Sequence, residues 1–384
     1  MPMGFRIQKY EFSEDGKKVL LGTASQKIYR RSSRELYYVY DFKEETLTPI
    51  SEDRVMYASF NPEGTKVAFV KENNLYIKDL ESGKETAVTN DGEMNKIING
   101  STDWVYEEEF AFTKAFFWSP GGSKIAFYKF DESNVKEYNM TVFGKGVYPN
   151  DYRYKYPKAG EDNAQVSIHI YDVKTEKTID AQISSYEYIP RIKWTASDYK
   201  LAVIKMNRYQ SILSLLLVDS KTGTSENIMR ESTKTYIDIH DNLTFYSNNE
   251  KFLWTSEKDG YNHLYLYDIN GKNEKQITKG EWEITSFYGF DEKNGRLYYQ
   301  STETSPMDRD VYAVNIDGTE KVKLSPDGGT NDAKFSNSFE YFVNYHSTIN
   351  TPYEIKIFDN EGGLQWVAED NKRLKEQMGI FDIS

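Results

Sequence analysis

Leu264-Tyr265-Leu266-Tyr267-Asp268 alternates side chains along a short run and stops on an acid, and Leu75-Tyr76-Ile77-Lys78-Asp79 repeats the pattern far upstream. A period of two marks a strand with one face buried. Strands of this kind close on Asp41, Asp79, Asp172, Asp219, Asp268, Asn315 and Asp359, which makes seven units. Ahead of each lies an apolar strand, such as Val67-Ala68-Phe69, Ile125-Ala126-Phe127 or Phe252-Leu253-Trp254, and ahead of that a polar turn, such as Pro62-Glu63-Gly64 or Pro120-Gly121-Gly122. An aromatic-rich strand opens each unit. Repetition of four-stranded units predicts an all-β fold, a β-propeller of four-stranded blades; a stacked β-helix would need shorter periods.

Composition agrees with that class. The 384 residues include 31 Tyr and 21 Phe, a strand-favouring balance. A net charge of −12 argues against a nucleic-acid partner, because binding phosphates takes concentrated Lys and Arg, and it suits cationic ligands. With no cysteine, neither disulfides nor thiolate metal sites are available. The opening Met1-Pro2-Met3-Gly4 lacks an apolar signal core, and no run approaches the roughly eighteen apolar residues of a membrane helix.

Asp103-Trp104-Val105-Tyr106-Glu107-Glu108-Glu109-Phe110 sets three carboxylates among large aromatics. Buried charges need partners, so the acids are expected to face water or a cation. Ser101, Thr102 and Asp103 supply N-cap chemistry for a short helical turn. Together with Phe116 to Val135 and Tyr156 to Asn163, this stretch resembles the dipeptidyl peptidase IV family of prolyl-oligopeptidase-like serine exopeptidases. The resemblance implies that Glu108 and Glu109 form a paired clamp for the substrate's free amino terminus, with Glu107 as an uninvolved neighbour. It also implies that Arg30, in Ile28-Tyr29-Arg30-Arg31-Ser32-Ser33, grips a substrate carbonyl. Arg30 and Arg31 are expected within a strand, where residues one apart point to opposite faces, so only one of them can face the pocket.

A hydrolase of this class needs Gly-x-Ser-x-Gly followed by an acid and a histidine. No such elbow occurs in the sequence, and His169, His240, His263 and His346 are scattered singly, with neither a metal motif nor a phosphate-binding loop. No catalytic residue, metal or cofactor is therefore expected here, and the chain by itself is expected to be inactive.

The family propeller has eight blades, and the similarity begins at its second, so the first is expected to be missing. The expected organisation is a propeller over residues 1–370, an insertion arm at about 131–163 in the third repeat, and a linker at 371–384 toward an absent hydrolase domain. By resemblance, the parent removes N-terminal Xaa-Pro or Xaa-Ala dipeptides outside the cytoplasm, in the periplasm of a bacterial cell or at its surface, and forms homodimers through the arm. Its partners are then peptide amino termini and the C-terminal hydrolase domain. The alternative is a stand-alone propeller that acts as a protein-interaction scaffold.

Overall fold

The computed structural model describes residues 6–379, which fall into two compact units divided between Ile239 and His240. Among the described residues, the first unit contains four larger sheets and one two-stranded hairpin. Its first sheet runs Ile7–Phe12, Lys18–Lys27, Ser33–Asp41 and Thr46–Pro49; its second runs Met56–Phe60, Lys66–Lys71, Asn74–Asp79 and Glu85–Ala87. The third joins Phe116–Trp118, Lys124–Asp131, Gln165–Asp172 and Lys177–Asp180, with Ile97–Asn99 added beside Lys124–Asp131. Tyr188–Trp194, Lys200–Met206, Ile212–Asp219 and Ser225–Ser232 make the fourth. The second unit holds three sheets of the same plan, whose third strands are His263–Asp268, Asp310–Asn315 and Glu354–Asp359. The strand pairs in these sheets are antiparallel, and sequence neighbours pair except in the third sheet, where Lys124–Asp131 pairs with Gln165–Asp172 across the arm and with Ile97–Asn99.

The closing aspartates do structural work that the repeat pattern foreshadows. Asp79, Asp172 and Asp219 each accept backbone N–H groups a few residues on, which fixes the turn into the fourth strand. Opposite each, across the strand pair, stands a lysine: Lys66, Lys124 and Lys200. All three pairs are in contact, and Lys124, 2.7 Å from Asp172, is the main reason that its carboxyl is held down to about 2. Such cross-strand pairs also pin register.

The cores lie between successive sheets. Leu20, Val39, Phe60, Val67 and Phe69 bring the first two together, and Val70, Leu75, Ile77, Phe116, Ile125 and Phe127 join the second to the third. Between the third and fourth, Tyr128, Phe130, Ile168, Ile192, Trp194 and Val203 enclose Tyr106 and Phe110 from the short helix α1, Trp104–Glu109. In the second unit, Leu264, Leu297 and Tyr299 belong to one such layer, and Tyr298, Ala313 and Phe342 to the next.

The insertion arm is an ordered antiparallel hairpin, Glu137–Val142 with Asn150–Lys155. A second short helix, α2, covers Lys372–Met378 within the expected linker; residues 380–384 of that segment lie outside the described residues. No helix among the described residues is long and apolar enough to cross a membrane.

Candidate functional site

Helix α1 exists because its start is capped and one face is apolar. Asp103 is the N-cap, its side chain accepting the Tyr106 N–H at 2.9 Å. Burial pushes the Asp103 carboxyl up to about 7. Tyr106 anchors the helix in the core: its ring meets those of Phe110, Phe112, Tyr128 and Phe130, and its hydroxyl accepts the Ile189 N–H at 2.9 Å. With Tyr106 so fixed, the three following acids have prescribed directions.

Those directions differ, and the expectation that all three face water or a cation needs correction. Glu107 is 1% exposed and turns into the protein, where the backbone N–H groups of Arg31 and Ser32 donate to its Oε1 at 2.6 and 2.9 Å. A helix turn carries successive residues about 100° apart, so three neighbours cannot share a face. Asp103, Tyr106, Glu107 and Phe110 share the inward one. Glu107 is thus no uninvolved neighbour; it clamps the loop that carries Arg30. Glu108 is half-buried and Glu109 exposed at the helix end.

Arg30 and Arg31 lie in a bend between Lys18–Lys27 and Ser33–Asp41, so strand alternation does not decide their directions. The loop closes on itself through the Ile28 N–H to Ser32 O at 3.0 Å and the Tyr29 N–H to Ser32 Oγ at 3.1 Å. With Glu107 holding its backbone, Arg30 Nε comes 3.2 Å from Glu108 Oε2. The structure therefore brings Arg30 and Glu108 together, with Glu109 next to them on the helix. The guanidinium is largely exposed, so the pair by itself adds at most about 1 kcal/mol of stability. Its import is arrangement: two acids and one exposed cation, on a loop and a helix that Glu107 and Tyr106 tie to the protein.

The arm supplies a third support that sequence reasoning missed. Tyr156 packs on Trp104 of α1 at 4.3 Å between ring centroids, and Tyr154 on Tyr29 of the arginine loop at 5.8 Å. Tyr138 meets both Tyr154 and Tyr156, and Tyr154 is buried. The period-two spacing of Tyr152, Tyr154 and Tyr156 was the available signal for a strand.

Histidine plays a structural part in these units. His169 bridges Asp180 at 2.7 Å and Ser167 at 2.8 Å, with burial lowering its pKa, and His263 contacts Thr278 and Gly280 O. Among the described residues, no group of three or more Asp, Glu or His is placed to hold a metal ion.

Comparison with known proteins identifies the family of the chain. Residues 13–353 match the family model for the dipeptidyl peptidase IV (DPP IV) N-terminal region. The chain is 31% identical over 409 residues to a "Probable dipeptidyl-aminopeptidase B" of Phaeosphaeria nodorum, covering 97% of this chain and 45% of that protein. It is 29% identical to a dipeptidyl peptidase 4 of Trichophyton rubrum, covering 100% of this chain and 52% of that one. The crystal structure of Porphyromonas gingivalis dipeptidyl peptidase 4 superposes with a TM-score of 0.94 at 40% identity, over 100% of this chain and 55% of that chain. The fold is accordingly a β-propeller. The chain spans about half the length of these relatives.

Proposed function

Because the chain belongs to the dipeptidyl peptidase IV N-terminal region family, we propose that it receives the protonated amino terminus of a peptide between Glu108 and Glu109, with Arg30 turned toward the same ligand. The observation that supports this most is the Arg30 to Glu108 contact at 3.2 Å on a loop clamped by buried Glu107. Two carboxylates give an ammonium charge-assisted hydrogen bonds, whereas an acetylated terminus leaves them desolvated and unpaired. Arg30 keeps the two acids from repelling each other before a ligand arrives and offers donors to a peptide carbonyl.

In the longer protein this arrangement works as a ruler. Holding the amine at a fixed depth would set the bond after the second residue, typically Pro or Ala, at the serine of a C-terminal hydrolase domain. Residues 1–370 then serve recognition and gating, and 371–384 lead toward that domain. The exposed arm side chains Phe143, Val147 and Tyr148 support self-association through this hairpin, and an extracytoplasmic, periplasmic site of action fits a peptide-scavenging role.

Calorimetric titration of the chain with a Gly-Pro-containing tripeptide tests the clamp. Free-amine peptide should bind, and its acetylated form should not. Glu108→Gln or Glu109→Gln should each weaken binding by about 1.5 to 3 kcal/mol, the worth of a hydrogen bond to a charged group. Equal affinity for free and acetylated peptide would refute the reading.

A further inference from the structure

Helix α1 has a second surface. Asp103, Trp104 and Glu107 line a cavity of about 910 Å³ in the first unit, to which Tyr29, Tyr57 and Tyr152 also contribute. Arg30, Glu108 and Glu109 are not among its lining residues. Tyr57 has a φ of 56°, a left-handed conformation unusual for a bulky residue, at a bulge where the register against Lys66–Lys71 shifts. Strain of this sort collects at binding sites.

Charge in the cavity is mixed at the rim and acidic at depth. Lys27, Arg34 and Arg54 are exposed, as are the acids Asp53, Glu72 and Glu93, and half-buried Lys71 is held by Asp53 at 2.9 Å; the buried charged residues of the lining are all acids, Glu107 at 1% exposed and Asp103 and Glu132 at 6% each. Asp103 accepts the Tyr106 N–H. The Glu132 carboxylate accepts no hydrogen bond among the described residues, although its backbone N–H and C=O are both paired. The charges that act on it are Asp103, Lys155 and Asp131, and the Lys155 ammonium is engaged by Val135 O at 2.7 Å. Burial, reinforced by the charge of Asp103, pushes the Glu132 carboxyl up to about 7.

A carboxylate held out of bulk water and open to a cavity draws either a proton or a cation. Two carboxylates supply too few oxygens for calcium or magnesium, which take six or more ligands. Aromatic walls instead favour an organic cation, whose charge is attracted to ring faces. We infer that this cavity binds a small organic cation, its guanidinium or ammonium head against Glu132 and Asp103 and its body among Tyr29, Tyr57, Tyr152 and Trp104. This site stands independently of the amine clamp at Glu108 and Glu109.

Butylguanidinium, which has no amino terminus to offer the clamp, is the probe. Calorimetric titration of the full chain at pH 8 should show saturable binding. Glu132→Gln should weaken it by roughly ten- to a hundredfold, the range for one charge-assisted hydrogen bond, and the Glu108→Gln/Glu109→Gln double variant should leave it within about twofold. A capped arginine peptide as the second titrant distinguishes a docked basic side chain, which it would mimic, from a free small cation, which it would not. Absence of saturable binding, undiminished binding by Glu132→Gln, or loss of binding in the double variant would each overturn the proposal. If Glu132→Gln compromises folding, Tyr152→Leu on the exposed arm replaces it, with at least about threefold weakening expected and unchanged affinity counting against the site.

Discussion

Glu107 and Glu108 are adjacent, chemically identical and opposite in circumstance. Glu107 is buried with two backbone N–H donors on one oxygen; Glu108 lies near the surface beside an exposed arginine. The buried acid is tolerable because peptide dipoles replace the water it lost, and those donors would otherwise be unsatisfied themselves. The outer acid keeps its capacity for a ligand because little in the protein consumes it. On the proposed reading, one carboxylate builds the site and the next uses it. Asp103 and Glu132 form a third case, buried without a full set of donors, and their carboxyls rise to about 7.

Substitutions should separate these three circumstances by size. Glu107→Ala should be the most damaging, because it strands the Arg31 and Ser32 N–H groups: about 2 to 4 kcal/mol in urea unfolding, with peptide-amine binding lost although Glu108 and Glu109 remain. Glu107→Gln, which retains an acceptor oxygen, should recover part of both. Comparable stability of Glu107→Ala and Glu108→Ala would erase the contrast.

Glu132→Gln should act in the opposite sense, with a pH signature. The folded carboxyl titrates near 7 and the unfolded one near 4.5, so protons bind the folded state more tightly. Its contribution is then fully present below about pH 4.5 and lost as pH rises through 7. The variant should therefore be more stable than the parent at pH 8, by about 1 to 3 kcal/mol, and indistinguishable from it at pH 4 in this respect. A stability difference that is flat with pH would show that Glu132 is paired in solution. The smallest effect belongs to the repeat pairs: Lys124→Met should cost no more than about 1 kcal/mol in thermal unfolding at moderate salt, since the Lys124 to Asp172 contact is partly solvated. A larger loss would make the lysine ladder a main source of stability instead of a register device.

The sequence was most readable where structure is local. All seven predicted closing positions, Asp41 to Asp359, end the third strand of a sheet, because alternation and an Asx turn are properties of a few consecutive residues. The same holds for Asp103, three residues from the N–H it caps. Arg30 beside Glu108 came from resemblance; no local rule joins residues so far apart. What stayed hidden was the inward turn of Glu107, whose partners are 75 and 76 residues away, and the packing of the arm tyrosines on Trp104 and Tyr29. Charge alone said that three acids should be solvated. Helical geometry, once Tyr106 is known to be buried, says that one of them cannot be.

The long reach of Glu107 has a consequence for the order of assembly. Apart from the third, which the arm interrupts, each sheet is wound from successive strands, so its loops are short and cheap to close, and sheets can form one by one as the chain emerges. The contact between Glu107 and the loop at Arg31 and Ser32 must wait for the first sheet, the second sheet and α1. Because Tyr106 anchors α1 in the core between the third and fourth sheets, the recognition proposed above would be among the last properties this unit acquires. A chain stalled or clipped after the second sheet would carry native-like strands and a loose arginine loop, unable to hold a peptide end, which makes ligand capture a stricter report of completed folding than secondary structure.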